Sequence, residues 1–218
     1  MRTMLQLYTY FRSSASYRVR IALHLKGLPF ESVPVHLVRD GGQQHSAAYQ
    51  RINPAALVPA LVDGDHAVTQ SLAILEYLEE THPSPALLPS DALGRARVRA
   101  LAQTIACEIH PLNNLRVLQY LQGPLGLDET TKATWYRHWI TVGFTALEEM
   151  LATSSDTGTY CHGNTPGLAD CCLVPQVANS RRFATPLDAF PNIRRIEEAC
   201  LALPAFQLAA PSAQPDAE

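Results

Sequence analysis

The stretch Tyr10-Phe11-Arg12-Ser13-Ser14-Ala15-Ser16-Tyr17-Arg18-Val19-Arg20 decides how the chain is read. Before it, Leu5, Leu7 and Thr9 alternate with Gln6 and Tyr8, the period of a short strand. Residues 17–26 are ambiguous, because Tyr17, Val19, Ile21, Leu23 and Leu25 also alternate with Arg18, Arg20, Ala22, His24 and Lys26. Candidate caps at Ser13 to Ser16, Lys26 near the end and Gly27 just beyond favour a helix. Three serines therefore stand where a strand ends and a helix begins. Unpaired backbone N–H groups and the positive end of the helix dipole gather there. Such a corner holds an anion without a charged side chain.

Working outward, Phe30 to Leu37 reads as a strand, and Pro34 inside it predicts an edge position. Gly41-Gly42-Gln43-Gln44 opens a loop before weakly helical residues 46–52. Ala60-Leu61-Val62 and Ala67-Val68-Thr69 flank Asp63-Gly64-Asp65-His66, the pattern of a β-hairpin. Ser71 is expected to cap a helix through Glu80, with Ile74, Leu75 and Leu78 inward and Glu76, Glu79 and Glu80 outward. The order is βαβαββα over residues 1–83. His82-Pro83-Ser84-Pro85 then breaks the pattern, and 84–91 reads as a linker.

Beyond it no strand-like alternation persists. Val98, Leu101, Ala102, Ile105, Ile109 and Leu112 follow helical spacing, with a bend expected at Pro111. Trp135, Trp139, Val142, Ala146 and Met150 mark another helix, and residues 168–179 and 193–203 supply two more. From Pro211 the Pro/Ala/Ser-rich tail is expected to fray. The fold class is thus an α/β domain (1–83) followed by an all-α domain (92–210) and a tail (211–218).

A net charge of −3 and the lack of any Lys/Arg block argue against a nucleic-acid or anionic-membrane partner. No apolar run approaches the ~18 residues of a membrane span. Met1-Arg2-Thr3-Met4 does not open a signal peptide, so a cytoplasmic protein is expected. Cys107, Cys161, Cys171, Cys172 and Cys200 are odd in number, contain no Cys-x-x-Cys and have no zinc-like spacing with His. Buried reduced thiols and no metal are expected.

The stretch Ser13 to Leu23 resembles the signature of zeta-class glutathione transferases. Asn53-Pro54 with Val58-Pro59, Gln70-Ser71-Leu72-Ala73-Ile74, and Leu173-Val174-Pro175-Gln176-Val177-Ala178-Asn179 are further likenesses, in the family's order. Cys107 to Asn114 is similar to the bacterial maleylpyruvate isomerase version. Two departures stand out: Ala15 and Tyr17 occupy positions where the family often has Cys and Trp, and Gly167 stands where a Thr or Ser cap is usual.

The resemblance implies a thioredoxin-like N-terminal domain, glutathione as cofactor, a homodimer, and cis–trans isomerisation of a maleyl-keto acid to its fumaryl isomer. Ser13 is then the first candidate to hold the glutathione thiolate, with Ser14 and the Ala15 N–H as alternatives. Val58, before a cis Pro59, would pair its backbone with the cysteinyl unit. Gln70 and Ser71 would hold the γ-glutamyl carboxylate, Gln44 the glycyl end, Asn114 would be a further glutathione contact, and His110 would donate to glutathione or substrate. Arg12 and Arg182 are the expected substrate cations, with Asn113, Arg116 and Arg181 as weaker substrate contacts. Thiolate would add to the cis-enone, the new single bond would rotate, and expulsion of sulfur would regenerate glutathione. A conjugating or dehalogenating transferase and a non-catalytic interaction module are the alternatives.

Overall fold

The computed structural model describes residues 4–218 and divides into two compact units. One holds the chain through Leu87 together with Leu201–Glu218; the other is Leu88–Cys200.

The first unit is built on a four-stranded sheet of order β2-β1-β3-β4, formed by β1 (Leu5–Thr9), β2 (Phe30–Pro34), β3 (Ala60–Asp63) and β4 (His66–Thr69). β2 pairs with β1 in parallel, Leu5 opposite Phe30, and lies at the edge, as Pro34 demanded. It stops at Pro34, short of the expected Leu37. β1 runs antiparallel to β3 with Tyr8 opposite Ala60, and β3 and β4 form the expected hairpin. α1 (Ser14–Leu25), the short α2 (Ala47–Gln50) and α3 (Ser71–Thr81) complete the βαβαββα order.

The ambiguity of residues 17–26 has a physical cause. Every residue of α1 from Ser14 to Leu23 is buried, so polar and apolar positions alike face protein and the helical stripe is lost. α1 packs against α3 and against α9 (Pro204–Ala209). The C-terminal residues therefore belong with the α/β unit. Residues 211–218 do not fray: Gln214 is buried, its Nε2 donating to Leu208 O and Ala210 O at 2.9 Å each.

Glu79 departs from its expected outward position. Its carboxylate accepts from the fully buried Lys26 Nζ at 2.8 Å and from Leu87 N at 2.9 Å, while Lys26 also donates to His82 O and Pro85 O. The segment expected as a linker is thus fastened to α1 and α3, with Leu87 and Leu88 buried.

In the second unit, α4 (Ala92–Gln103) is capped by Asp91, which accepts from Gly94 N at 2.8 Å. It runs into a π-helical turn, Thr104–Ile109, and a 3-10 turn, Pro111–Asn113, which together make the bend expected at Pro111. α5 (Leu115–Gln122) was not foreseen; α6 (Glu129–Ala152), α7 (Leu168–Arg182) and α8 (Pro191–Leu201) were, with shifted ends. Gly143 of α6 faces the π turn so closely that a Cβ there would lie 2.3 Å from Ile109 Cγ1. Gly167 caps α7 only by its backbone; Asp170 compensates, accepting from Gly167 N and Cys161 N. Four cysteines are buried, Cys107 is exposed, and all five are free.

Removing Glu79 would leave the Lys26 ammonium buried without its counter-charge. Glu79→Ala is expected to cost about 3–5 kcal/mol in urea unfolding, and the double change Lys26→Met/Glu79→Leu clearly less than the sum of the single changes.

Candidate active site

In the α/β unit the serine corner takes the predicted form. Ser13 is the N-cap of α1, in extended conformation, and its Oγ accepts from Ser16 N at 3.2 Å. Because that oxygen is engaged as an acceptor, the hydroxyl proton is left to point away from the helix end. Ser14 and Ala15 follow at the first helical positions, both buried. Ser16 is fully buried beneath them, and its Oγ has no partner among the described residues. Arg12 is exposed at the turn, its guanidinium 4.8 Å from the Phe11 ring centroid.

The Val58-Pro59 peptide bond is cis. Val58 is buried, and its backbone N–H and C=O have no hydrogen-bond partner among the described residues. An unpaired peptide edge of this kind can take an extended peptide as an added strand. A second cis bond, Ser84-Pro85, was not expected from the sequence.

Ser71 is not the cap of α3. Gln70 holds that position, with φ at +69° and no side-chain bond to the helix end, and Ser71 is the first helical residue. A non-glycine residue at positive φ is an uncommon conformation, retained where the surroundings demand it. Ser71 Oγ accepts from Nη1 of the buried Arg18 at 3.1 Å. The α3 N-terminus therefore combines unpaired N–H groups, a hydroxyl and a neighbouring guanidinium, which together suit a carboxylate. Nothing in the sequence distinguished Arg18 from a surface arginine.

Gln44 is buried on a 3-10 turn, Gln43–His45, with Nε2 donating to Leu37 O at 3.3 Å. That bond fixes the amide orientation and leaves Oε1 as a buried acceptor with no partner among the described residues, ready for an incoming N–H. Gly42 makes the room: at φ +98°, a Cβ would lie 2.5 Å from Gln44 Nε2.

The remaining candidates belong to the helical unit. His110 follows the π turn, and Asn114 caps α5, its Oδ1 accepting from Arg116 N at 3.2 Å. The Asn114 amide nitrogen then faces His110 Nε2 at 3.4 Å. Asn113 is buried with Nδ2 donating to Tyr136 O at 3.1 Å, which ties the turn to α6, and its Oδ1 has no partner among the described residues. Arg116 is exposed on α5. Arg181, half exposed, is paired with the buried Glu197 on α8. Arg182 ends α7, 5.4 Å from the Phe183 ring, which stacks on Tyr136 with centroids 3.5 Å apart. Burial pushes the Tyr136 phenol far above its ordinary value, and the Arg182 charge offsets part of that rise.

Comparison with known proteins agrees with this geometry. Residues 7–86 match the model of the glutathione S-transferase N-terminal domain. A probable maleylacetoacetate isomerase of Vibrio cholerae is 53% identical, with 97% of each chain covered. The chain belongs to the glutathione transferase family, in its zeta-class isomerase group. The holo structure of a maleylpyruvate isomerase, a bacterial zeta-class enzyme, is 50% identical and superposes with a TM-score of 0.95, covering 98% of this chain and 100% of that one. A maleylacetoacetate isomerase from Anaeromyxobacter dehalogenans 2CP-1, solved with dicarboxyethyl glutathione and citrate in its active site, is 43% identical with a TM-score of 0.88 and full coverage of both chains. The expected thioredoxin-like unit and helical unit of a glutathione transferase are thereby established.

The cap geometry separates stability from chemistry at position 13. Ser13→Ala is expected to lower unfolding stability by about 1 kcal/mol, whereas Ser13→Gly costs only a few tenths, as measured by chemical denaturation.

Proposed function

We propose that the chain is a glutathione-dependent cis–trans isomerase that converts a maleyl-keto acid, maleylpyruvate or maleylacetoacetate, to its fumaryl isomer. The observation that carries the reading is the serine corner: Ser13 caps α1 through its oxygen and keeps a hydroxyl proton to donate. No cysteine lies in residues 13–16, which removes a protein thiol from the step.

The tripeptide fits the groups that this unit leaves unsatisfied. Val58 would pair with its extended backbone, Gln44 Oε1 would take an amide N–H, and Gln70, Ser71 and the α3 N-terminus would hold its γ-glutamyl carboxylate, with Arg18 behind Ser71. Bound there, glutathione supplies a thiolate whose reversible addition to the cis double bond permits rotation to the trans isomer.

A free thiol is mostly protonated at neutral pH. The Ser13 hydroxyl, with Ser14 and the Ala15 N–H beside it, and the α1 dipole favour the charged form, as helix N-termini do for cysteines. Arg12 and Arg182 are assigned to the substrate, since a planar guanidinium binds a carboxylate through two parallel bonds and stabilises charge that develops on a carbonyl oxygen. His110 and Asn114 are assigned to glutathione. The compartment we assign is the cytoplasm, which suits five free thiols, and the assembly a homodimer, which the family likeness supports. Among the described residues no helix is long and apolar enough to cross a membrane.

The test follows the ultraviolet loss of each maleyl substrate with and without added glutathione. Turnover is expected only with glutathione, which is not consumed, and Arg182→Ala is expected to lower kcat/KM by roughly tenfold to a hundredfold, the range for a lost charged bond of about 1.5–3 kcal/mol. Ser13→Ala and Ser13→Gly are expected to lose activity alike despite their unequal stabilities. Stoichiometric consumption of glutathione would favour the conjugating transferase, and inactivity toward both substrates would end the isomerase reading.

A further inference from the structure

The turn that carries Ser13 is held from outside by the end of the chain. Phe11 N donates to Asp216 Oδ2 at 3.0 Å, two residues before the helix cap. Arg20, fully buried in α1, binds the same turn from within. Its Nη1 donates to Thr9 Oγ1 at 2.9 Å and Tyr10 O at 3.3 Å, its Nη2 to Phe11 O at 3.1 Å, and its Nε to Ala209 O at 2.9 Å. Tyr17 adds a bond from its hydroxyl to Phe206 O at 3.3 Å.

We propose that Asp216 is a positioning residue for the thiolate corner, acting through the Phe11 N–H on the turn that sets Ser13. The inference rests on the glutathione reading above.

Three features support it. The tail is locked before it reaches the turn, because Gln214 bridges Leu208 O and Ala210 O, so Asp216 arrives with little freedom left to lose. The contact spans 205 positions in the sequence, and it ends on a backbone N–H that lies between β1 and the Ser13 cap. The turn is otherwise closed by Ser13 N donating to Tyr10 O at 2.9 Å, so a shift at Phe11 moves the cap directly. Glu218 makes neighbouring contacts, with the exposed Arg39 and at 3.3 Å from the mostly buried His36, but neither reaches the turn that carries Ser13.

The experiment uses the full chain, with glutathione as the probe. Thiolate absorbance of bound glutathione is titrated against pH, and KM for glutathione and kcat are measured separately, for the native chain, Asp216→Ala and Asp216→Asn. Asparagine keeps an oxygen that accepts from Phe11 N but removes the charge. Asp216→Ala is expected to raise KM for glutathione about fivefold, the factor of one net hydrogen bond, and to move the bound-thiol titration to higher pH. Asp216→Asn is expected to restore both. If the alanine variant does not accumulate as folded protein, Asp216→Ser, whose side chain is too short to reach Phe11 N, replaces it and is expected to shift both readouts in the same direction. A titration and KM unchanged in the replaced variants would overturn the proposal, as would equal impairment of Asp216→Asn and Asp216→Ala. Either result, with native turnover intact, leaves the isomerase reading standing; a native chain that binds no glutathione fails that reading first.

Discussion

A guanidinium removed from water must be given acceptors, and Arg20 is given four by three separate parts of the chain. The end of β1, the turn after it and α9 all turn an oxygen toward one side chain of α1. Burial pulls its pKa down to about 10, a tendency that the Asp216 charge opposes, so the group is still a cation at neutral pH. Losing any one of these partners would leave a buried N–H of the guanidinium unsatisfied, which is costly. The serine corner inherits its rigidity from that requirement. It also explains why residues 201–218 group with a unit from which they are remote in sequence.

The same unit assembles recognition from backbone more than from side chains. A helix end with a hydroxyl, an unpaired peptide edge at a cis-proline and a second helix end with a strained cap are three sites of different polarity. On the reading proposed above, a γ-glutamyl tripeptide would present its thiol, peptide backbone and carboxylate to them in turn. Main-chain groups cost no side-chain entropy on binding, so such a cradle is pre-organised by the fold. The reading proposed above asks of position 15 only an N–H at a helix terminus, and alanine has one as good as any residue.

Much of this was legible in the sequence because it depended on local rules. The hairpin declared itself by its turn, α1 by its serines and Gly27, the edge strand by Pro34. What could not be read depended on partners far along the chain. Glu79 looked like a surface residue until Lys26 was placed opposite it across α1 and α3. Ser71 looked like a cap because serine is a good one, yet Gln70 takes that place at positive φ, a conformation no propensity would assign to it. Asn113 and Asn114 are neighbours with opposite fates, one buried against Tyr136 and one at a helix end, and the π turn before them decides which is which. The tail was read as frayed from its composition, whereas Gln214 and Asp216 fasten it.

Arg181 and Arg182 show how finely such outcomes divide. Consecutive residues on a helix point about 100° apart, so two identical side chains at the end of α7 meet different surroundings. Arg181 reaches Glu197 on α8, a carboxylate that is buried and would be costly to leave alone, and the pair holds the two helices together. A cation spent in that way has no charge to offer a ligand. Arg182 meets the face of Phe183, which gives the guanidinium a flat support without neutralising it, and no carboxylate pairs with it among the described residues. A dicarboxylate needs a cation whose charge is not already compensated. On this ground the α7 terminus compensates one of its two arginines and leaves the other uncompensated, and the division is fixed by where Glu197 falls on α8.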